Sequence, residues 1–140
     1  MTLDELIDFY QTLDVDRVAR FAEFYADDAA FKDPFNDVRG VAAIRRIFTH
    51  LFSQVAGPRF VVTERVVDAG GAVLVWEFHY RMRLPGRCDA QVMRGVSHLK
   101  FAADGRVASH RDYWDTAEEL YMKLPLLGPL MRGLRRYLAA

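Results

Sequence analysis

Apolar and polar positions follow two different periods along the chain, and the change falls near Pro58. Leu3, Leu6, Ile7, Tyr10 and Leu13 recur every three or four residues, the spacing that places them on one face of a helix. Thr2 and Glu5 stand at capping-box spacing before that run, where hydroxyl and carboxylate each satisfy an orphan amide. Asp14 is placed to cap a second helix with the stripe Val18, Phe21, Ala22 and Tyr25, ended by Asp27 and Asp28. Ala29 to Lys32 reads as a short strand, and Asp33 must leave the helical region because Pro34 follows it. A third helix starts near Gly40 with the cleanest stripe of the chain: Ile44, Ile47, Phe48, Leu51, Phe52 and Val55.

Beyond Pro58 the period is two. Phe60 to Asp68 is rich in β-branched residues and ends at Ala69-Gly70-Gly71, a hairpin signal. Val73 to Leu84 alternates, with Trp76, Phe78, Tyr80 and Met82 on one face and Glu77, His79, Arg81 and Arg83 on the other. Pro85-Gly86 turns the chain into a third strand, Gln91 to Ala103, which Asp104-Gly105 closes before a fourth, Val107 to Asp115. Helices first and strands second predict an α+β fold, an antiparallel meander of four long strands with helices on one face. Thr116 to Lys123 reads as helical, Pro125 breaks it, and Leu126 to Leu138 is apolar on one side with Arg132, Arg135 and Arg136 on the other. That last segment fits a helix packed on the domain or a second subunit, or a membrane-surface helix. The expected organisation is a single domain over 1–140 with a helical tail over 124–140.

Composition narrows the function. A chain of 140 residues with 51% hydrophobic residues has the size and content of one globular domain. Nineteen bases balance nineteen acids, which removes the positive footprint of a dedicated nucleic-acid binder. The single cysteine, Cys88, excludes an internal disulfide and points to a reducing compartment. Cys88 sits beside Arg87 with no histidine placed by sequence to activate it. The acidic start of the chain lacks the basic opening of a signal peptide, and no apolar run approaches bilayer length. The expectation is a cytoplasmic protein without stable membrane insertion. Aromatic residues make up 13% of the chain, so the domain must pack those rings or line a cavity with them. His110 and Asp112 stand two apart on one strand face, but His98 has no paired ligand spacing, so no metal is expected.

Two helices, then "YADDAAFKDPFNDVRG", then a helix and four long strands resemble the nuclear transport factor two-like superfamily. The likeness runs from about Leu3 to Leu120, and "DDAAFKDP" and "DGRVASHRDYWD" are its most specific parts. Ketosteroid isomerases, limonene epoxide hydrolases and SnoaL-type polyketide cyclases belong to that superfamily. The resemblance implies a cone, a curved antiparallel sheet wrapped around N-terminal helices with a deep apolar pocket, and a homodimer. Asp33 in "FKDP" matches the isomerase general base. Phe31 and Phe35 beside it would desolvate the carboxylate and raise its pKa. The isomerase oxyanion hole does not carry over. Its tyrosine position is Phe9, with Tyr10 one step round the helix, and its acid position is Ser97, a weaker donor. Asp112 in "HRDYWD" matches the acid–base aspartate of the hydrolases and cyclases on their last strand. The hydrolase arginine and second aspartate become Glu77 and His79, which argues against epoxide hydrolysis. His79 with Asp112 would make an acid–base pair near neutral pH.

Structural roles compete with each assignment. Asp33 before proline also suits a turn. Asp112 also suits an exposed strand position paired with Arg111 or Arg94. Glu77 and His79 are either a solvated strand face, with the aromatics inward, or pocket residues, with the aromatics in a subunit interface. The resulting expectation is a cofactor-independent acid–base enzyme of isomerase or cyclase type. Its substrate would be a bulky apolar small molecule such as a steroid, terpenoid or polyketide. Asp33, Asp112 and His79 would be catalytic. Phe9, Tyr10, Phe31, Phe35, Phe52, Glu77, Ser97, His110 and Trp114 would bind substrate. The alternative is a non-catalytic binder of a small hydrophobic ligand.

Overall fold

Thr2 begins the first helix as its sequence predicts. The Glu5 amide donates to Thr2 Oγ1 at 3.2 Å and the Thr2 amide to Glu5 Oε2 at 2.6 Å. In this computed structural model, which describes residues 1–83 and 89–140, α1 spans Leu3–Gln11 and buries Leu6, Phe9 and Tyr10. Asp14 caps the next turn by accepting from the Arg17 amide at 2.8 Å. A 3-10 turn, Arg17–Arg20, and the short helix α2, Phe21–Phe24, follow. The chain then becomes extended at Tyr25 and stays so to Lys32 as β1. The second helix is therefore shorter than its stripe suggests: Tyr25 pairs with Val107 in the sheet instead of closing a helical turn. A three-residue strand, β2 (Asp37–Arg39), folds back on β1. Gly40 then takes a φ of 92°, open to glycine at little cost, and α3 (Val41–Gln54) starts at once.

The strands predicted beyond Pro58 form in order, with β3 starting earlier, at Val55. They are β3 (Val55–Asp68), β4 (Gly71–Met82), β5 (Ala90–Phe101) and β6 (Val107–Tyr113). They pair as an antiparallel meander, and β1 adds to β6 in parallel. The curved sheet thus has six strands in the order β2-β1-β6-β5-β4-β3 and does not close. After it come α4 (Thr116–Glu119), a 3-10 turn (Tyr121–Lys123) and α5 (Leu127–Leu138). The Pro85-Gly86 turn, the end of the predicted strand at Leu84, and Cys88 with Arg87 lie outside the described residues.

One face of the sheet takes the helices. Leu6 and Phe9 of α1, Phe21 and Phe24 of α2, and Ile44, Phe48 and Phe52 of α3 pack with Phe31, Leu74, Leu99 and Val107 into one buried cluster. Its rings interlock, with Phe9 stacked on Phe24 at 4.2 Å and Phe21 against Phe48 at 4.8 Å. Along β4 every second residue from Ala72 to Tyr80 is buried, and the residues between are half-buried. This decides between the two assignments left open above. Trp76, Phe78 and Tyr80 point to the helix side, so Glu77 and His79 lie on the outer face.

Candidate functional site

Strand register brings three polar residues, Ser97, His110 and Asp112, onto the inner face. Ser97 stands opposite Asp112, and Leu99 opposite His110, across the β5–β6 pair. Leu99 is fully buried in the helix-facing cluster, so its cross-strand partner and the residues two along share that face. Gly95 stands opposite Trp76 across β4–β5. A Cβ on Gly95 would lie 2.3 Å from the Trp76 ring, so glycine here lets the indole lie flat over the neighbouring strand. From that position Trp76 Nε1 donates to Ser97 Oγ at 2.8 Å.

With His110 neutral and Asp112 ionised, the hydrogens in this cluster run in one direction. An indole N–H only donates, so Ser97 is free to spend its own hydrogen on Asp112 Oδ1, 2.5 Å away. An ionised carboxylate only accepts, so His110 Nε2, 2.7 Å from the same oxygen, carries a hydrogen and donates it. In the neutral imidazole Nδ1 is then an acceptor, and it takes the Tyr25 hydroxyl at 2.6 Å. The Tyr25 oxygen in turn lies 2.7 Å from the Tyr10 hydroxyl, which completes the chain as its donor. Two lines of donors, from Trp76 through Ser97 and from Tyr10 through Tyr25 and His110, thus converge on Asp112 Oδ1. Among the described residues nothing bonds Asp112 Oδ2. The network is buried: Ser97 and His110 are each 4% exposed and Tyr25 is 0% exposed, whereas the Asp112 side chain retains 15%. Burial pushes the Tyr10 and Tyr25 hydroxyls well above the ordinary phenol range, so both stay neutral donors.

Asp112 also borders an open cleft of about 500 Å³. β1 and β6 run parallel, with Lys32 beside Arg111, and the cleft opens where both strands leave the sheet. Its walls are Lys32, Asp33 and Pro34 on one side and Arg111 to Asp115 on the other. Trp114 meets Phe35 edge-on at 5.5 Å, and the Arg111 guanidinium lies 4.7 Å above the Tyr113 ring. Lys32 is paired with Asp37 at 2.7 Å.

The sequence-predicted residues divide accordingly. Asp112, His110, Ser97 and Tyr10 come together in the network, and Asp33, Phe35 and Trp114 gather around the cleft with Asp112. Asp33 is not set among apolar groups as its neighbours suggested. Its Oδ1 accepts from the amides of Phe35 and Asn36 at 2.7 and 2.6 Å, and Asn36 Nδ2 reaches both its oxygens, so the carboxylate closes a turn. Phe31 packs on the His110 ring at 4.9 Å. Phe9 and Phe52 are core residues, 2% and 4% exposed. Tyr10, one step round the helix from Phe9, commits its hydroxyl to Tyr25.

His79 and Glu77 are the plain corrections. On the outer face His79 lies 3.8 Å from Glu77, which also meets Arg94 at 3.5 Å, and the sheet itself separates this trio from Asp112. The histidine bonded to Asp112 is His110, two residues along the same strand. Sequence reasoning missed Tyr25, because its place at the end of an apolar stripe reads as core. It also missed Lys32, Arg111 and Tyr113, which lie inside the quoted motifs but carried no role there; Lys32 and Arg111 meet only through the parallel β1–β6 pairing. His98 falls on the face opposite His110, and among the described residues no three His, Cys, Asp or Glu side chains are grouped to hold a metal.

The family model of the SnoaL-like domain matches residues 6–110 of the chain. No curated protein matches it in sequence. Solved structures with the same fold include an NTF2-like protein of unknown function from Burkholderia pseudomallei. It is 16% identical, with a TM-score of 0.72, over 84% of this chain and 95% of that one. A protein from Catenulispora acidiphila with a ketosteroid isomerase-like fold, in complex with trimethylamine, is 10% identical with a TM-score of 0.70. The match covers 84% of this chain and 88% of that one. TerC, co-crystallised with polyporic acid, is 15% identical with a TM-score of 0.66, over 81% and 90% of the two chains.

Proposed function

The chain belongs to the SnoaL-like domain family, and from that premise we propose that it catalyses proton transfer on a ring-bearing carbonyl compound, in the manner of an isomerase or cyclase. The observation that carries the reading is the asymmetry of Asp112. Two donors fix Oδ1, and Oδ2, free of partners among the described residues, belongs to a residue that borders the cleft. A general base needs this combination: a carboxylate held in one orientation with a lone pair left for the substrate. Asp112 Oδ2 takes a proton from carbon next to a carbonyl, and the same oxygen, now protonated, returns it at another position of the resulting enolate. No other co-reactant is consumed, so the chemistry requires no cofactor.

The cleft favours a flat, partly apolar substrate bearing oxygen. Trp114, Tyr113 and Phe35 offer ring faces and edges. Lys32 and Arg111 add positive charge to the rim of the cleft, Lys32 paired with Asp37 and Arg111 stacked on Tyr113. The isomerase oxyanion donors have no direct counterpart, since the Ser97 and Tyr10 hydroxyls are already spent within the network. TerC was crystallised with polyporic acid, and for this chain an oxygenated ring compound is the substrate class the cleft suits. Asp33 contributes the facing wall and a second carboxylate. The commitment of Ser97 and Tyr10 favours a second reading, in which the cleft binds such a compound without turning it over.

Deuterium exchange at the acidic carbon of polyketide-type ketones, followed by NMR in heavy water, separates the two. Catalysis predicts exchange that depends on the protein, and Asp112→Asn should reduce it by about a hundredfold or more, the ordinary size of a general-base contribution. Binding of the ketone with no exchange above background would leave only the carrier reading.

A further inference from the structure

α5 (Leu127–Leu138) is a helix whose apolar side is left largely unused by the fold, while Arg132 and Arg135 of its polar side reach Met122. It packs on the 3-10 turn Tyr121–Lys123, where the Gly128 amide donates to Leu124 O at 2.8 Å and Arg132 Nη1 to Met122 O at 2.8 Å. Gly128 is its one buried residue, seated against the Met122 carbonyl. Beyond that seat the helix carries large apolar side chains into solvent: Leu130 is 67% exposed, Leu134 48%, Tyr137 84% and Leu138 72%, and Leu126 just before it 93%. At 100° per residue Leu130, Leu134, Tyr137 and Leu138 form one stripe. Arg132, Arg135 and Arg136 occupy the rest of the helix surface.

Charge along the chain is segregated at the same place. No acid follows Glu119, while Lys123, Arg132, Arg135 and Arg136 all do. The neutral total therefore hides a cationic tail on an acidic body. An exposed leucine stripe flanked by arginines, with no carboxylate in reach on its own helix, suits a surface that is apolar inside and anionic outside. A second α5 is a poor occupant, since it would bring the same cations together.

We propose that α5 is a membrane-surface helix that lays Leu130, Leu134 and Leu138 into the acyl boundary of an anionic bilayer, with Arg135 and Arg136 on the lipid phosphates. It lies on the bilayer and does not cross it: no helix among the described residues is long and apolar enough to span. The proposal stands apart from the chemistry at Asp112.

Co-sedimentation of the whole protein with phosphatidylcholine vesicles, with and without phosphatidylserine, tests it. Binding should be about tenfold or more stronger on the anionic vesicles and should fall as salt is raised. Leu134→Glu and the double change Arg135→Glu, Arg136→Glu should each abolish it; all three residues are exposed, so folding checked by circular dichroism should be unchanged. The indole introduced by Tyr137→Trp should shift its emission to the blue on binding. Equal binding to neutral and anionic vesicles, or no binding to either, would overturn the proposal. So would a concentration-dependent dimer that Leu134→Glu dissociates in the absence of lipid, since the stripe would then face a second copy.

Discussion

Ser97 and the two buried tyrosines define what single residues contribute. Ser97 receives from Trp76 and donates to Asp112, so its removal breaks two bonds and strands a buried indole N–H. Ser97→Ala should cost about 1–3 kcal/mol, the range for an orphaned buried donor, read from the shift of a urea midpoint at constant slope. Tyr10 and Tyr25 make a different prediction, because their hydroxyls are held neutral above the ordinary value of 10.0. Below pH 10 both folded and unfolded chains keep these protons. Above it the unfolded chain releases them while the folded chain does not, so stability falls as pH rises. The loss should be about 1.4 kcal/mol per pH unit for each phenol, beginning near pH 10. Denaturation midpoints from pH 8 to 11 measure it. Tyr10→Phe, which has no proton to release there, should flatten the slope. An unchanged slope would mean that Tyr10 is not the group responsible.

Elements were legible where period and burial agree. The capping box fixes the start of α1, and the α3 stripe states one face, which packs as it reads. What the sequence leaves out is information held between elements. Tyr25 closes an apolar stripe at helical spacing, yet the strand pairing with Val107 and the bond to His110 outweigh that local pattern. β2 is three residues long and gives no periodic signal. The β1–β6 contact is parallel, so it joins segments far apart in the chain. Lys32 and Arg111 become neighbours only through it. Gly95 illustrates the same point within β5, where it reads as a weak spot but serves as the bed for Trp76. Gly95→Ala forces the indole off the strand and away from Ser97. The expected cost is about 1–3 kcal/mol of overpacking, and tryptophan emission should change along with it. A variant as stable as the wild type, with unaltered emission, would show that the ring has room that the close approach denies.

At the scale of the whole molecule, the sheet separates two histidine–carboxylate pairs that look alike in sequence. His79 with Glu77 lies on the outer face beside Arg94, and His110 with Asp112 lies inside, one end in the buried network and the other at the cleft. The resemblance that matched Asp33 and Asp112 was carried by motifs, and those motifs do fall on the two walls of one cleft. The choice of histidine depended on which face of β4 turns inward, and a sheet whose two faces are both partly covered does not announce that in its alternation. If catalysis belongs to the inner face, then His79→Gln should leave the rate of deuterium exchange within about twofold of the wild type, because surface changes away from a site rarely matter. His110→Gln should lower it much further. Glutamine can still donate to Asp112 from its amide nitrogen, but it does not reproduce the imidazole's simultaneous bond to Tyr25, so Asp112 loses part of its fixed orientation. Measuring both variants under the same conditions therefore reports which face of the sheet does the chemistry. A large loss in His79→Gln with none in His110→Gln would place the working surface on the outside of the sheet and remove Asp112 from the reaction.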